Sequence, residues 1–165
     1  MVGGVWTCED LHSRPWEELV HVAWVDADVT PADLPAAAWA CDMPPGSAAV
    51  FASVGLVVGP IACTQQLLAE ARAMQNCLAS SLTYFEELVA GESRIFSIKG
   101  QGFRATLQLV FGDVSWQVEQ IFGPRNLPLA AELSQSPSAQ WQAIRDFVDQ
   151  FEEMPGPGAV RSVLP

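Results

Sequence analysis

Phe103-Arg-Ala-Thr-Leu-Gln-Leu-Val-Phe111 decides the fold class. Phe103, Ala105, Leu107, Leu109 and Phe111 alternate with Arg104, Thr106, Gln108 and Val110, the period of a half-buried strand. Gly112-Asp113 reads as a two-residue hairpin turn with glycine first. Residues 115–122 then return as a strand that points Trp116, Val118, Gln120 and Phe122 one way. Pairing across that turn sets Leu109 against Trp116, Leu107 against Val118 and Ala105 against Gln120. Upstream, residues 94–99 form a strand leading into the loop around Gly100-Gln-Gly102, which adds Phe96 and Ile98 to the buried face. The expectation is a three-stranded antiparallel meander over residues 94–122, packed on helices.

Helical periods flank it. Leu67, Ala71, Met74, Leu78, Phe85 and Leu88 recur every three or four residues or a multiple of that, as one buried stripe does. Thr64 is placed to cap this stretch, and Thr83-Tyr-Phe-Glu86 restarts it as a capping box. Gly91 suits its C-terminal end. Two helices, over 64–76 and 78–90, thus meet at Cys77. Ser136-Pro137 opens a last helix with Trp141, Ile144, Val148 and Phe151 inward, ended by Pro155-Gly-Pro-Gly158. Residues 15–25 read as a short helix or a strand, and Thr30-Pro31-Ala-Asp33 starts a helix that buries Trp39. Residues 50–58 read as one or two buried strands broken at Gly55. Mixed periods give an α+β class, with one domain over 1–154 and a flexible tail over 155–165.

Half of the 165 residues are apolar, enough for one well-filled core. The opening Met1-Val-Gly-Gly lacks the basic and apolar regions of a secretory signal. No charge stands between Asp42 and Glu70, but the apolar part, residues 48–63, falls short of the ~20 residues of a spanning helix. Gly55, Gly59 and Pro60 mark it as core, and no membrane is expected.

Formal charge is −11, unevenly spread. Residues 1–70 hold nine acids against Arg14 (1 − 9 = −8), residues 71–126 balance five against five, and the rest net −3. Nucleic-acid binding needs clustered Lys and Arg to neutralise phosphates, and this chain has one lysine. Direct nucleic-acid binding is therefore not expected. The acidic excess serves solubility, or a protein partner with a basic surface. Cys8, Cys41, Cys63 and Cys77 form no C-x-x-C pair. They read as four reduced thiols of a cytoplasmic protein, with no metal and no cofactor.

Four stretches in order resemble the PcfJ-like family. They are Met74-Gln-Asn-Cys77-Leu, Gly91-Glu-Ser-Arg-Ile-Phe-Ser97, Arg104-Ala-Thr-Leu107 and Gln120-Ile-Phe-Gly-Pro-Arg-Asn126. The resemblance covers roughly residues 60–130, about two fifths of the chain. It implies a fold and a setting (conjugative plasmids, phages and bacterial chromosomes) more than a reaction. Members carry His-Cys where this chain has Asn76-Cys77, and Ala-Thr-Leu-Glu where it has Gln108.

Cys77, at a helix junction, is the candidate nucleophile, since a thiolate needs a nearby base or a helix N-terminus. The alternative is a buried structural thiol. Gln120 on an apolar strand face must find a partner such as Asn76, Tyr84 or the Asn126 backbone. Arg125-Asn126 suits an anion or carboxylate, or else a solvated turn with Asn left-handed. Cys77, Gln120, Arg125 and Asn126 are expected to lie close together, and Tyr84 and Arg104 complete the candidate binding set. His12 and His21 are too isolated for a metal or catalytic role, and Trp6 is the candidate exposed anchor. No glycine-rich phosphate loop, nucleophile elbow or metalloprotease helix occurs. The function expected is a non-enzymatic protein-binding factor of a mobile genetic element, one version being an inhibitor of host defence such as an anti-CRISPR protein. A thiol-dependent enzyme using Cys77 and an accessory factor of conjugation are the alternatives.

Overall fold

Alternation over the 94–122 region does produce an antiparallel meander, and a fourth strand joins it. The computed structural model describes residues 34–79 and 82–158. The element expected over 15–25, the start at Thr30, and Trp6, Cys8, His12 and His21 lie outside them. Helix α1 (Ser47–Ser53) leads into β1 (Leu56–Ile61), then α2 (Thr64–Met74) and α3 (Leu82–Ala90). Strands β2 (Ser93–Gly100), β3 (Phe103–Phe111) and β4 (Trp116–Phe122) follow. A 3-10 turn (Pro124–Asn126), α4 (Ala130–Gln135) and α5 (Ala139–Glu152) complete the order. The sheet runs β1-β2-β3-β4, every pair antiparallel.

The reading of 50–58 as strand is half right. Residues 47–53 are helical, and the chain reverses at Gly55, whose φ of 74° suits glycine. Trp39 is buried as expected, but in an extended segment: its backbone N–H bonds Ala62 O at 2.9 Å and its indole donates to Ile61 O at 2.7 Å. Thr64 does not cap α2. Its hydroxyl donates to Pro35 O at 2.8 Å and accepts from the Ala37 N–H, tying that segment to the helix.

One face of the sheet is the apolar core. Phe96, Ile98, Ala105, Leu107 and Leu109 are fully buried there. Helix α5 covers them because Ser138 caps its first turn, accepting from Trp141 N, and because Trp141, Ile144, Phe147, Val148 and Phe151 form one stripe. Aromatic rings mesh edge to face: Phe96 with Phe147 at 5.1 Å and with Phe151 at 5.3 Å, Phe51 with Phe147 at 5.5 Å. Each such pair adds about 0.5–1.5 kcal/mol beyond its buried area. The described part of the tail, Pro155 to Gly158, is seated rather than loose. Trp116 Nε1 donates to Pro155 O at 3.2 Å, and a Cβ on Gly156 would run into the Phe111 ring.

The hairpin closes differently from the sequence reading. Phe111 pairs with Trp116 and Gly112 N–H bonds Ser115 O at 2.9 Å, so four residues form the connection, not Gly112-Asp113 alone. Leu109 faces Val118 and Leu107 faces Ile121, with a register shift between Gln108 and Leu109. Glu119 is the extra residue, a β-bulge. Gln120 therefore pairs with Gln108, not Ala105, and lies on the opposite face of the sheet.

Truncating the ring at the centre of the aromatic mesh, Phe147→Ala, is expected to cost about 3–5 kcal/mol in a urea titration. Val114→Ala, at a position 88% exposed, is expected to stay within about 0.5 kcal/mol of the parent.

Candidate functional site

The second face of the sheet is built from Arg104, Thr106 and Gln108 of β3, and it is covered rather than solvated. Thr106 and Gln108 are 3% and 1% exposed. β3 is thus buried on both faces, not half-buried. The amides and the carboxylate there find separate sets of partners. Gln108 Nε2 donates to Ser93 Oγ at 3.0 Å, while its Oε1 accepts a short hydrogen bond from Gln120 Nε2. Glu70, on the buried stripe of α2, accepts from Thr106 Oγ1 at 2.7 Å and pairs with Arg104 at 2.7 Å. Arg104 Nε also reaches Met74 Sδ at 3.0 Å.

Cys77, Gln120 and Asn126 come together, as the chain order suggested. They share a shallow depression with Asn76, Leu78, Thr106, Gln108 and Phe122. Its interior holds about 10 Å³, roughly the room of one water molecule. Asn76 Oδ1 accepts from the Leu78 N–H at 3.3 Å, shaping the turn that carries Cys77. Arg125 stands beside the depression, its Nε donating to Gln75 Oε1 at 3.0 Å. Gln75, Arg125 and Asn126 all take left-handed φ (51°, 59° and 58°), so two strained turns meet at this point. Arg104 is committed to Glu70, and half-buried Tyr84 on α3 does not line the depression. Gln120 has found none of the partners expected for it; its partner is Gln108.

The cysteines correct the reading of four reduced thiols. Cys77 is disulfide-bonded, while Cys41 and Cys63 are free. The Cys77 sulfur lies 3.9 Å from Asn126 Oδ1, but a disulfide sulfur has no proton to donate. A nucleophilic role would first need reduction of that bond, and the cysteine argument for a reducing compartment lapses. Cys41 is a buried thiol against Ile95 O, and desolvation pushes its pKa up to about 11. Among the described residues no group of three His, Cys, Asp or Glu could hold a metal, and no helix is long and apolar enough to cross a membrane.

The bulge residue Glu119 is exposed, and it and Glu92 both stand close enough to Glu87 of α3 to act on its charge. The Glu87 pKa is raised, first by partial burial and then by the like charges of Glu119 and Glu92.

Glu70, Ser93, Thr106 and Gln108 of the network are outside the candidate set read from the sequence. Glu70 was visible as a charge three residues after Leu67 and four before Met74, hence on a buried stripe. Gln108 as the hub had no local signal, because the bulge decides what it meets. No family model matches the chain, and no curated protein or solved structure matches it either.

Gln108→Leu leaves Ser93 and Gln120 without their partner and is expected to destabilise by about 1–3 kcal/mol in urea, despite the added apolar surface. Gln120, at the half-buried end, should tolerate leucine better. Under native conditions a thiol probe is expected to label Cys63 first and Cys41 only on unfolding, with Cys77 reacting only after a dithiol reductant. Labelling of Cys77 without reductant would contradict the disulfide.

Proposed function

We propose that this protein works by binding another protein through its acidic surface rather than by catalysis. The observation that carries the reading is electrostatic. Twelve carboxylates stand among the described residues against six Lys and Arg, and Arg104–Glu70 is the only ion pair among those residues. Eleven carboxylates (12 − 1) therefore keep charge that a cationic surface would neutralise. Side chains rather than backbone would make the contact, since both sheet edges are blunted against strand addition. Pro60 within β1 offers no N–H, and β4 carries the bulge and the Phe122–Pro128 bridge.

A narrower form of the proposal is a factor of a mobile genetic element, for instance an anti-CRISPR inhibitor whose acidic surface occupies a basic nucleic-acid channel. The PcfJ-like resemblance suggests that setting, and a cytoplasmic place of action belongs to it. An accessory factor of conjugation is the other role the resemblance admits.

Attraction between surface charges is screened as the Debye length falls from about 10 Å at 0.1 M salt to about 3 Å at 1 M. Partners captured and then purified are expected to have basic faces, and their affinity for this protein should weaken about tenfold or more across that range. Salt-independent binding, or direct binding of DNA at physiological salt, would count against the proposal.

A further inference from the structure

Helix α3 is amphipathic, yet its outer face is not wholly polar. Phe85 and Leu88 enter the core, Phe85 edge-on to Trp39 at 6.0 Å. Leu82, Glu86 and Val89, at i, i+4 and i+7, lie together on the outside. Leu82 and Val89 are 53% and 48% exposed. Single aliphatic residues on a surface are ordinary. What distinguishes this pair is its frame. Glu86 sits between them, Glu87 and Glu92 lie along the same helix end, and the exposed Glu119 of the β4 bulge is close enough to act on the Glu87 charge. Glu119 and Glu92 are near enough to raise the Glu87 pKa.

Among the described residues no cation pairs with this frame. Arg94 stacks over Trp116 at 5.0 Å and donates to Gly91 O and Ser93 O. Arg104 pairs with Glu70, and Arg125 donates to Gln75. Among the described residues, Glu86, Glu87, Glu92 and Glu119 have no ion-pair partner. The exposed edge of α5 is an internal contrast. Asp149, Glu152 and Glu153 are also exposed and unpaired there, but no large hydrophobic side chain is exposed on that helix. Charge alone would make the two helices equivalent; the aliphatic pair separates them.

We propose that the outer face of α3, with Glu119, docks a partner segment whose Lys or Arg side chains flank one or two aliphatic side chains. The partner's cations meet the four carboxylates while its aliphatic groups cover Leu82 and Val89. The inference rests on the protein-binding reading above and assigns it a surface.

The test uses the full chain and two synthetic peptides of equal length and charge, one amphipathic with lysine and leucine, the other with serine in place of leucine. Amide hydrogen exchange is expected to show protection by the first peptide at 82–92 and 117–119. Its affinity should exceed that of the serine peptide and fall about tenfold in Glu86→Lys/Glu87→Lys/Glu119→Lys, and likewise in Leu82→Ser/Val89→Ser. Asp149→Lys/Glu152→Lys/Glu153→Lys should bind as the parent does. All these side chains are exposed or half-buried, and an unchanged thermal midpoint checks the fold of each variant. Protection centred on α5, equal affinity for the two peptides, or an effect of the α5 reversal overturns the α3 assignment while leaving an acidic protein-binding surface. Failure of both peptides to bind at low salt removes the broader reading as well.

Discussion

The β-bulge at Glu119 is the constraint on which the second face depends. Strand alternation alone would carry the pattern of Trp116 and Val118 onward to Gln120 and Phe122, placing an amide in the aromatic core under α5. One extra residue cancels that. Ile121 instead faces Leu107 in the core, and Gln120 faces Gln108 on the polar side. The insertion costs a ladder position and gives two returns in geometry. The core keeps a continuous apolar sheet face, and the other face gains a second amide where Gln108 needs an acceptor's partner.

That polar face is then a matter of mutual satisfaction. Glu70 is 5% exposed, and a carboxylate so buried is tolerated only with its charge paired and its lone pairs engaged. Arg104 supplies the charge and Thr106 the second hydrogen bond. Gln108 has both ends of its amide used, by Ser93 and Gln120. Ser97 Oγ is the exception, a buried hydroxyl with no protein partner. Such a network contributes little net stability compared with apolar packing, but a wrong register of β3 against β2 or β4 would leave several groups unsatisfied at once. The network therefore selects one register, while the rings on the opposite face supply most of the cohesion.

The legible and illegible parts of the sequence divide along the same line. The apolar side of β3, the stripe of α5 and the glycine end of α3 were readable because each depends on a local period or a single backbone requirement. Phe103 to Phe111 alternates, Trp141 to Phe151 repeats at helical spacing, and Gly91 has φ of 83°. What failed was non-local. Residues 47–53 hold three alanines, two serines, one valine and one phenylalanine and satisfy either period; α1 is fixed by Phe51 meeting Phe147 almost a hundred residues later. The bulge has no signature in Gln117-Val-Glu-Gln120, and the disulfide state of Cys77 cannot be read from the spacing of four scattered cysteines. The candidate site was half legible. Chain order predicted that Cys77, Gln120 and Asn126 would meet, but not that Gln108 would lie between them.

The chemistry available at that meeting point follows from the donor set. A general base must accept a proton near neutral pH, and a nucleophile must carry an activated lone pair. The groups around the depression are the amides of Asn76, Gln108, Gln120 and Asn126 and the hydroxyl of Thr106. Neutral amides give and receive hydrogen bonds but do not exchange protons at that pH. The one thiol-type sulfur is already oxidised to a disulfide. Glu70, the nearest carboxylate in the network, is already engaged by Arg104 and Thr106. Around interior room for about one water, the depression brings the α2–α3 connection against the polar face of the sheet and the turn after β4. Among the described residues the unpaired carboxylates lie away from this depression, on α3, α4 and α5, at the β4 bulge and in the segments between elements.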